Sequence, residues 1–335
     1  MEKKGHLLLT AVRIALTGIF LYLAVRSVSF ADLQRGLTGK TAFAVVGASV
    51  VYFFLQSLSA TRWWLLARAS SFPLAWTDAV VAFYSGMFFN LFLPGLVGGD
   101  AVRAYLAGRR ADRSVATSLG IVYADRTLGL MVLILVGLWS AAAVHLQGRF
   151  LVWGPLVVGA VALLLMTVLL VLITGFLSKV VKGPWGERFG RFGSAITLFL
   201  QKPSALLAVL PIAFLYHLSL IVILQAMALP LGIREPSFAA FALIVSAATV
   251  VGALPITLHG LGLREWAVVQ ISPLLGFPVE AALLWALLWR LVSWLICLPG
   301  GLVYLFWAEK TVKEDLVLLI QRARRASPSP EKSIP

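Results

Sequence analysis

Residues 93–110 read LPGLVGGDAVRAYLAGRR, and they interrupt an apolar run over residues 79–93 that looks like the start of one more membrane span. Within a dozen residues this stretch brings a proline, three glycines, an aspartate and an arginine, and it ends in a basic cluster. Proline lacks an N–H donor and glycine has a permissive backbone, so both residues end helices. The reason for a helix break at this point decides the fold.

The composition places the chain in a membrane. Hydrophobic residues make up 60% of the sequence and charged residues 13%, and the apolar residues form blocks of about bilayer-spanning length. A membrane β-barrel requires short strands of alternating polarity, and segments such as 159–175 do not alternate. The sequence therefore predicts an all-α polytopic membrane protein.

The charged residues and the single cysteine exclude other classes. The net charge is +14, but the basic residues flank apolar segments, which fits anionic lipid headgroups better than nucleic acid. Cys297 lies alone in an apolar segment and predicts neither a disulfide nor a metal cluster. We expect no metal site and no nucleic-acid partner.

Eight apolar segments divide the chain. Six have spanning length, at residues 7–25, 41–66, 116–144, 151–175, 205–229 and 281–307. Two shorter segments, 77–93 and 238–254, each run into a proline and then a glycine-rich polar turn. We interpret the first segment as a retained span, with a cleaved signal peptide as the alternative.

The distribution of lysine and arginine indicates whether the two shorter segments cross the membrane. If all eight segments cross, the basic clusters within 103–113 and 179–202 both fall outside. If both shorter segments turn back, these clusters lie on the same side as the basic termini. We therefore predict six full spans plus two re-entrant helical hairpins, with cytoplasmic termini, in the cell (inner) membrane. Eight plain spans with glycine-rich loops are the alternative.

Three crossings in each half invert the second half relative to the first, as in many secondary transporters. The predicted first half covers residues 1–146 and contains a span, a span, a cytoplasmic re-entrant hairpin and a span. The predicted second half covers residues 147–308 as an inverted repeat, with an interfacial helix at 182–202. A cytoplasmic amphipathic and disordered tail follows at 309–335.

Ionisable residues inside spans are costly and are therefore candidates for function. At about 1.5 Å per residue, Asp125, Arg126 and Arg290 lie about 14 Å, and His217 about 18 Å, into their spans. Asp125 and Arg126 point about 100° apart on a helix, so each needs a partner elsewhere. A structural network with Arg290 or Glu265 and a substrate role stay open, as do titration and a simple hydrogen bond for His217.

The two glycine turns suggest an anion site. Backbone amides at a helix start carry partial positive charge and bind phosphate. Arg103 and Arg264 follow the turns and can add bidentate phosphate contacts, or they can anchor the hairpins at the interface. Asp100 and Glu265 can cap the returning helices or accept protons.

Motifs of soluble catalysis do not occur in this sequence. It contains no His-Glu-x-x-His, no G-x-S-x-G, no P-loop and no dinucleotide fingerprint in a strand–helix context. We therefore expect a protein that is not an enzyme and has no cofactor.

Three groups of residues resemble the flippase-like family, which comprises the transmembrane region of the lysylphosphatidylglycerol synthases and stand-alone relatives. They are Asn90 with Leu93-Pro94-Gly95 and Gly98-Gly99-Asp100-x-x-Arg103, then Asp125-Arg126-x-x-Gly129, and then Pro255-x-Thr257 with Gly260-x-Gly262 and Glu265. They span residues from about 40 to 300 in the family's order. One departure is His259, where the family usually has glycine.

The resemblance implies lipid translocation. The family's full-length synthases also carry a soluble aminoacyl-transferring domain, whereas this chain ends soon after its last span, so we expect no aminoacyl transfer by this polypeptide. The predicted substrate is a membrane phospholipid or a polyprenyl-phosphate-type lipid. The candidate substrate-binding residues are Asn90, Gly98, Gly99, Asp100, Arg103, Asp125, Arg126, His217, Thr257, His259, Gly260, Gly262, Arg264, Glu265 and Arg290.

Two other functions fit the same sequence. One is a non-catalytic membrane partner of a glycosyltransferase or lipid-modifying enzyme, docking through the basic inner surface. The other is a membrane-embedded transferase that uses a polyprenyl-phosphate lipid. The sequence leaves the oligomeric state, the lipid and the energy source open.

Overall fold

The structure is a computed structural model that describes residues 15, 18–20, 22–24, 36–92, 98–144, 150–233, 236–254 and 256–307. All regular elements within these ranges are helical, which confirms the all-α class. The α-helices with printed bounds are α1 (Gly39–Ala69), α2 (Trp76–Phe89), α3 (Gly98–Arg110), α4 (Val115–Ala143), α5 (Phe150–Val180), α6 (Pro184–Gln201), α7 (Pro203–Ala228), α8 (Phe238–Gly252), α9 (Leu263–Ile271) and α10 (Val279–Leu295).

Shorter helical pieces complete these ranges. Three 3₁₀ turns lie at Leu229–Leu231, Leu258–Gly260 and Ser272–Leu275. A further helical segment at residues 298–307 continues the direction of the chain after α10. Proline and glycine flank most of these breaks, as their backbone restrictions predict.

Five helices in the described ranges are long and apolar enough to cross a membrane. They are Gly39–Ala69, Val115–Ala143, Gly154–Val180, Ser204–Leu231 and Val279–Trp307. They coincide with five of the six predicted full spans, so the chain is a membrane protein with several apolar helices. The sixth predicted span, 7–25, lies mostly outside the described residues, and the predicted tail at 309–335 and the turn residues Pro94, Gly95 and Pro255 lie wholly outside them.

The described part of the first apolar segment packs against the second half of the chain. The Phe20 and Trp266 rings meet edge to face with their centroids 5.6 Å apart. Ala24 is fully buried beside Val269 and Leu283. The described part of the N-terminal segment therefore contacts α9 and α10, which lie far from it in the sequence.

The two shorter apolar segments each form a pair of packed helices, α2 with α3 and α8 with α9. A Cβ atom at Gly86 would lie 2.7 Å from the Gly99 carbonyl oxygen, so α2 and α3 touch backbone to backbone. The Asn90 Oδ1 atom accepts a 2.9 Å hydrogen bond from the Gly99 amide and joins the end of α2 to the start of α3. Gly260, with φ of +67°, lies directly against Gly252 in the second pair.

A tyrosine pair relates the two halves of the chain. Tyr52 and Tyr216 each lie 13 residues after the first residue of α1 and α7 respectively. Their hydroxyl oxygens are 3.4 Å apart. Residues at matching positions of two matching helices thus meet each other across the centre of the molecule.

Two further contacts correspond between the halves. In each of them, one half contacts a helix pair of the other half. Ser246 of α8 and Tyr84 of α2 each lie eight residues after the first residue of their helix. Gly137 of α4 lies against Ser246, and Gly300 lies against the Tyr84 backbone. These contacts indicate that α1–α4 and α7–α10 repeat one plan of helix, helix pair and helix. The predicted boundary at residues 146 and 147 lies outside the described residues.

Helices α5 and α6 lie outside this repeated plan. Most large apolar side chains of α5 are exposed, among them Leu164, Leu172 and Phe176, as expected of a helix that faces lipid. Helix α6 corresponds to the helix predicted at 182–202 and packs against α4 and α5. A Cβ atom at Gly120 would lie 2.6 Å from the Phe192 carbonyl oxygen, so α6 lies close against α4.

The contact between α2 and α3 yields a test of the fold. We expect Gly86→Ala to lower the free energy of unfolding by about 1–3 kcal/mol, because the new methyl group collides with the Gly99 carbonyl. Gly47→Ala in α1 is the matched control, since no atom lies within 4 Å of its added Cβ, and the change favours helix by about 1 kcal/mol. Thermal unfolding in detergent measures both. Equal melting temperatures for the two variants would contradict the packing described.

Candidate substrate cavity

A cavity of about 330 Å³ lies between the two repeats. Its walls come from α1 to α4 of the first repeat and α7 to α10 of the second. The polar side chains that line it are Tyr52, Gln56, Ser59, Arg62, Asn90, Arg103, Asp125, Arg126, Tyr216, His217, Thr249, Arg264 and Ser293. A concave space of this size with converging polar groups is typical of a ligand site.

Asp125 of α4 holds two buried arginines. The Arg62 Nε atom donates to Asp125 Oδ1 at 2.7 Å, and the Arg103 Nη2 atom donates to Asp125 Oδ2 at 3.1 Å. The side chains of all three residues are at most 6% exposed. Since Arg62 lies on α1 and Arg103 on α3, one carboxylate joins three helices.

Aromatic rings fix the Arg103 guanidinium. Its Cζ atom lies 3.9 Å from the centre of the Trp63 ring and 4.6 Å from the centre of the Phe83 ring. Cation–π contacts of this kind stabilise a cation that has lost its water. Arg103 is therefore held in one orientation at the cavity wall.

Arg126 and Asp100 form a second ion pair at the cavity. The Arg126 Nε and Nη2 atoms donate to the two Asp100 oxygens at 2.9 and 3.0 Å. The Arg126 side chain is 55% exposed, whereas that of Asp100 is 12% exposed. Arg126 is thus the exposed partner at the cavity, and the less exposed Asp100 fixes its position by accepting both hydrogen bonds.

Glu265 forms the corresponding pair in the second repeat. The Arg290 Nε and Nη2 atoms donate to the two Glu265 oxygens at 2.8 and 3.1 Å. The Glu265 Oε2 atom also accepts a 2.8 Å hydrogen bond from the Gly262 amide, so the capping role considered from the sequence is confirmed for this residue. Arg264 lies beside the pair, with its Nε atom 3.5 Å from Glu265 Oε1 and its Cζ atom 4.2 Å from the centre of the Trp289 ring.

The two ion pairs occupy matching positions in the repeats. Asp100 and Glu265 each lie two residues after the first residue of α3 and α9. Arg126 and Arg290 each lie eleven residues after the first residue of α4 and α10. In both halves, therefore, an ion pair between a carboxylate and an arginine joins the helix pair to the helix that follows it.

The structure brings together some of the predicted site residues and separates others. Asn90, Arg103, Asp125, Arg126, His217 and Arg264 line the cavity. The remaining predicted residues do not line it; these are Gly98, Gly99, Asp100, Thr257, His259, Gly260, Gly262, Glu265 and Arg290. Of these, Gly99, Asp100 and Glu265 contact the lining residues Asn90, Arg126 and Arg264 respectively.

Two backbone amides of the glycine turns bond to side chains of the protein itself. The Gly99 amide donates to Asn90, and the Gly262 amide donates to Glu265. The second turn instead binds a cation, because Arg290 donates to the His259 and Gly260 carbonyl oxygens at 3.1 and 2.9 Å. Positive charge at the cavity therefore comes from arginine side chains.

His259 has a left-handed backbone, with φ of 52° and ψ of 31°. Such a backbone strains most residues with a side chain and favours glycine. This conformation gives a physical reason for the glycine that is usual at this position in the family that the sequence resembles.

The partners of Asp125 and Arg126 differ from those considered from the sequence. Asp125 pairs with Arg62 and Arg103, and Arg126 pairs with Asp100; none of them pairs with Arg290 or Glu265 in the described structure. Sequence reasoning missed Arg62 as a site residue, although it lies within the predicted span at 41–66. In the structure Arg62 lies within α1, which continues to Ala69.

Four nitrogen atoms of arginines at the cavity have no hydrogen-bond partner. Arg62 Nη1, Arg103 Nε, Arg264 Nε and Arg264 Nη2 are buried and donate to no residue that the structure describes. A buried donor without an acceptor is costly. An acceptor that reached these donors would offset that cost.

An apolar groove of about 770 Å³ adjoins the cavity. Asn90, Ser293 and Cys297 line both spaces. Residues from the tips of both helix pairs and from α10 line the groove, and His259 and Arg290 are among them. Its apolar walls are formed by Leu91, Phe92, Leu261, Leu291, Trp294, Leu295 and Leu298.

The described ranges show no group of three or more His, Cys, Asp or Glu side chains close enough to hold a metal ion. The polar groups that line the cavity are guanidinium groups, hydroxyls, the Gln56 and Asn90 amides, the Asp125 carboxylate and the His217 imidazole.

Comparison with known proteins gives a family match over most of the chain. The model of the family described as "Lysylphosphatidylglycerol synthase TM region" matches residues 10–301. A protein named "UPF0104 membrane protein" from Methanothermobacter thermautotrophicus is 22% identical over 341 aligned positions, which cover 95% of this chain and 99% of that protein. No solved structure matches the chain.

The Asp125 cluster can be tested by removing its charge alone. We expect Asp125→Asn to lower the free energy of unfolding by about 3–5 kcal/mol, because two buried arginines lose their counter-charge. Glu187→Gln is the matched control: its pair with Arg191 is exposed on α6, and such pairs contribute at most about 0.5 kcal/mol. Denaturant titration in mixed micelles measures both. A loss no greater for Asp125→Asn than for Glu187→Gln would contradict the assignment of this cluster.

Proposed function

This chain belongs to the family of the lysylphosphatidylglycerol synthase TM region, and we propose that it is a lipid translocase for phospholipids or other phosphate-headgroup lipids. The observation that carries the proposal is an arginine-lined cavity between two repeats that adjoins an apolar groove. A lipid has the same two parts, a charged headgroup and apolar chains.

The arginines supply the headgroup site in this proposal. The exposed Arg126 side chain lines the cavity, together with Arg62, Arg103 and Arg264. Guanidinium groups bind phosphate oxygens with charge-assisted hydrogen bonds, often two at a time. His217 is buried at the same cavity and adds a further polar group.

The groove supplies the path for the acyl chains. Phe92, Trp294 and Leu298 are 66%, 47% and 51% exposed, although they are large and apolar. Exposed apolar surface of this kind suits contact with hydrocarbon. We propose that the headgroup crosses through the cavity while the chains stay in the groove and the surrounding lipid.

The membrane arrangement follows from helix length in this proposal. Helix α2 has 14 residues and α9 has 9, so they are about 21 and 14 Å long, well short of the roughly 30 Å hydrocarbon core. We propose that α2–α3 and α8–α9 are re-entrant hairpins, that six helices span the membrane, and that the two repeats are inverted. The cytoplasmic termini and the inner-membrane location belong to the same proposal.

No covalent step is part of this mechanism. The cavity holds the groups needed to bind and release an anion, and we propose no aminoacyl or glycosyl transfer. The alternative, a non-catalytic partner of a lipid-modifying enzyme, assigns the functional role to the basic surface at residues 179–191, including Arg188 and Arg191 on α6.

The hairpins can be tested by labelling single cysteines with an impermeant thiol reagent in a Cys297→Ser background. Ala75 and Arg113 are exposed and flank the α2–α3 pair, and Glu280 is exposed at the start of α10. We expect Ala75→Cys and Arg113→Cys to react from one side and Glu280→Cys from the other. Labelling of Ala75→Cys and Arg113→Cys from opposite sides would mean that the pair crosses the membrane.

Translocation itself can be tested with Arg126→Gln. We expect at least a tenfold loss of lipid movement in proteoliposomes, because the variant loses a charge-assisted contact worth about 1.5–3 kcal/mol. The fold should persist, since the Arg126 side chain is half exposed. Arg191→Gln is the matched control, as Arg191 also pairs with a single carboxylate but lies on α6. Wild-type movement by Arg126→Gln would contradict the site, and loss of a co-purified enzyme in Arg191→Gln alone would favour the partner role.

A further inference from the structure

The charges around the cavity do not cancel. In the described structure, five arginines at or beside the cavity form ion pairs with three carboxylates. The arginines are Arg62, Arg103, Arg126, Arg264 and Arg290, and the carboxylates are Asp100, Asp125 and Glu265. Two positive charges are therefore left over.

The surplus is divided between the two repeats. Asp125 is shared by Arg62 and Arg103, which leaves one positive charge in the first repeat. Glu265 is shared by Arg264 and Arg290, which leaves one in the second. The Arg126–Asp100 pair is balanced.

An uncompensated cation at membrane depth is costly. An anion in the cavity offsets that cost, and the offset is greatest when the anion carries two charges. We propose that the cavity selects a lipid headgroup with two negative charges, that is a phosphate monoester, over a phosphate diester with one charge. This inference rests on the proposed translocase function and names the headgroup class of its substrate.

The unused donors fit the same headgroup. Arg62 Nη1, Arg103 Nε, Arg264 Nε and Arg264 Nη2 all belong to cavity-lining residues and come from both repeats. A phosphate monoester presents three strong acceptor oxygens for such donors. A phosphate diester has lost one of these oxygens to its second ester bond.

The groove favours a lipid over a soluble phosphate ester as the source of this group. A free sugar phosphate or glycerol phosphate has no apolar part to fill a space walled by Leu261, Leu291 and Leu298. The shared residues Asn90, Ser293 and Cys297 place the headgroup site and the groove side by side.

The experiment compares two lipids with identical acyl chains, phosphatidic acid and phosphatidylglycerol, each with the same fluorescent chain label. The full-length protein is placed in phosphatidylcholine vesicles at about pH 8, where a phosphate monoester is close to doubly charged. Accessibility of the label to a membrane-impermeant quencher reports movement, with protein-free vesicles as the baseline. We expect phosphatidic acid to move about tenfold faster than phosphatidylglycerol, because its second negative charge offsets the second surplus arginine charge.

A pair of variants tests the charge count. Arg264→Gln removes one surplus charge and leaves the Arg290–Glu265 pair in place, so we expect the ratio of phosphatidic acid movement to phosphatidylglycerol movement to fall to about threefold or less. Arg264→Lys keeps the charge, and we expect it to keep most of the preference. Melting temperatures within a few degrees of wild type confirm that both variants are folded.

The remaining outcomes separate the inference from the function on which it rests. Equal movement of both lipids by the wild type overturns the headgroup preference and leaves translocation intact. Movement of neither lipid overturns the translocase function itself. Uptake of radiolabelled glycerol 3-phosphate into the same vesicles, without lipid movement, shows that the site serves a soluble phosphate monoester and overturns the lipid source.

Discussion

The pairing of buried carboxylates with arginines is the constraint on which the rest of this structure depends. Helices in lipid gain little from apolar contact with each other, because the surrounding chains are equally apolar. A charge left alone at that depth is costly, so Asp125 must meet Arg62 and Arg103, and their helices must meet as well. One residue thereby sets the relative positions of α1, α3 and α4.

The repeat turns this constraint into a site. The Asp100–Arg126 and Glu265–Arg290 pairs hold each helix pair against the helix that follows it. The two halves then face each other across a space that neither half encloses alone. Arginines outnumber carboxylates around this space. The same ion pairs that hold the helices together therefore leave the cavity with net positive charge, which supports an anionic substrate.

Small residues make this arrangement possible. Gly86 and Gly99 let α2 and α3 touch through their backbones, and Gly252 and Gly260 let the end of α8 touch the backbone of the turn that precedes α9. Larger side chains would separate each pair and move its tip away from the cavity. The close approach brings the tip residue Asn90 to the junction of cavity and groove. In the proposed function, the headgroup lies on the cavity side of this junction and the acyl chains lie on the groove side.

The helical class, five of the spans and the places where proline and glycine break the chain could be predicted from the sequence. These properties depend on residues that are neighbours along the chain. The sequence also identified Asp125 and Arg126 as residues that need distant partners, since their directions on a helix differ. Only the tertiary structure decided which partners they have, and it added Arg62. Ion pairs between helices depend on how distant segments pack, and helix periodicity carries no information about that packing.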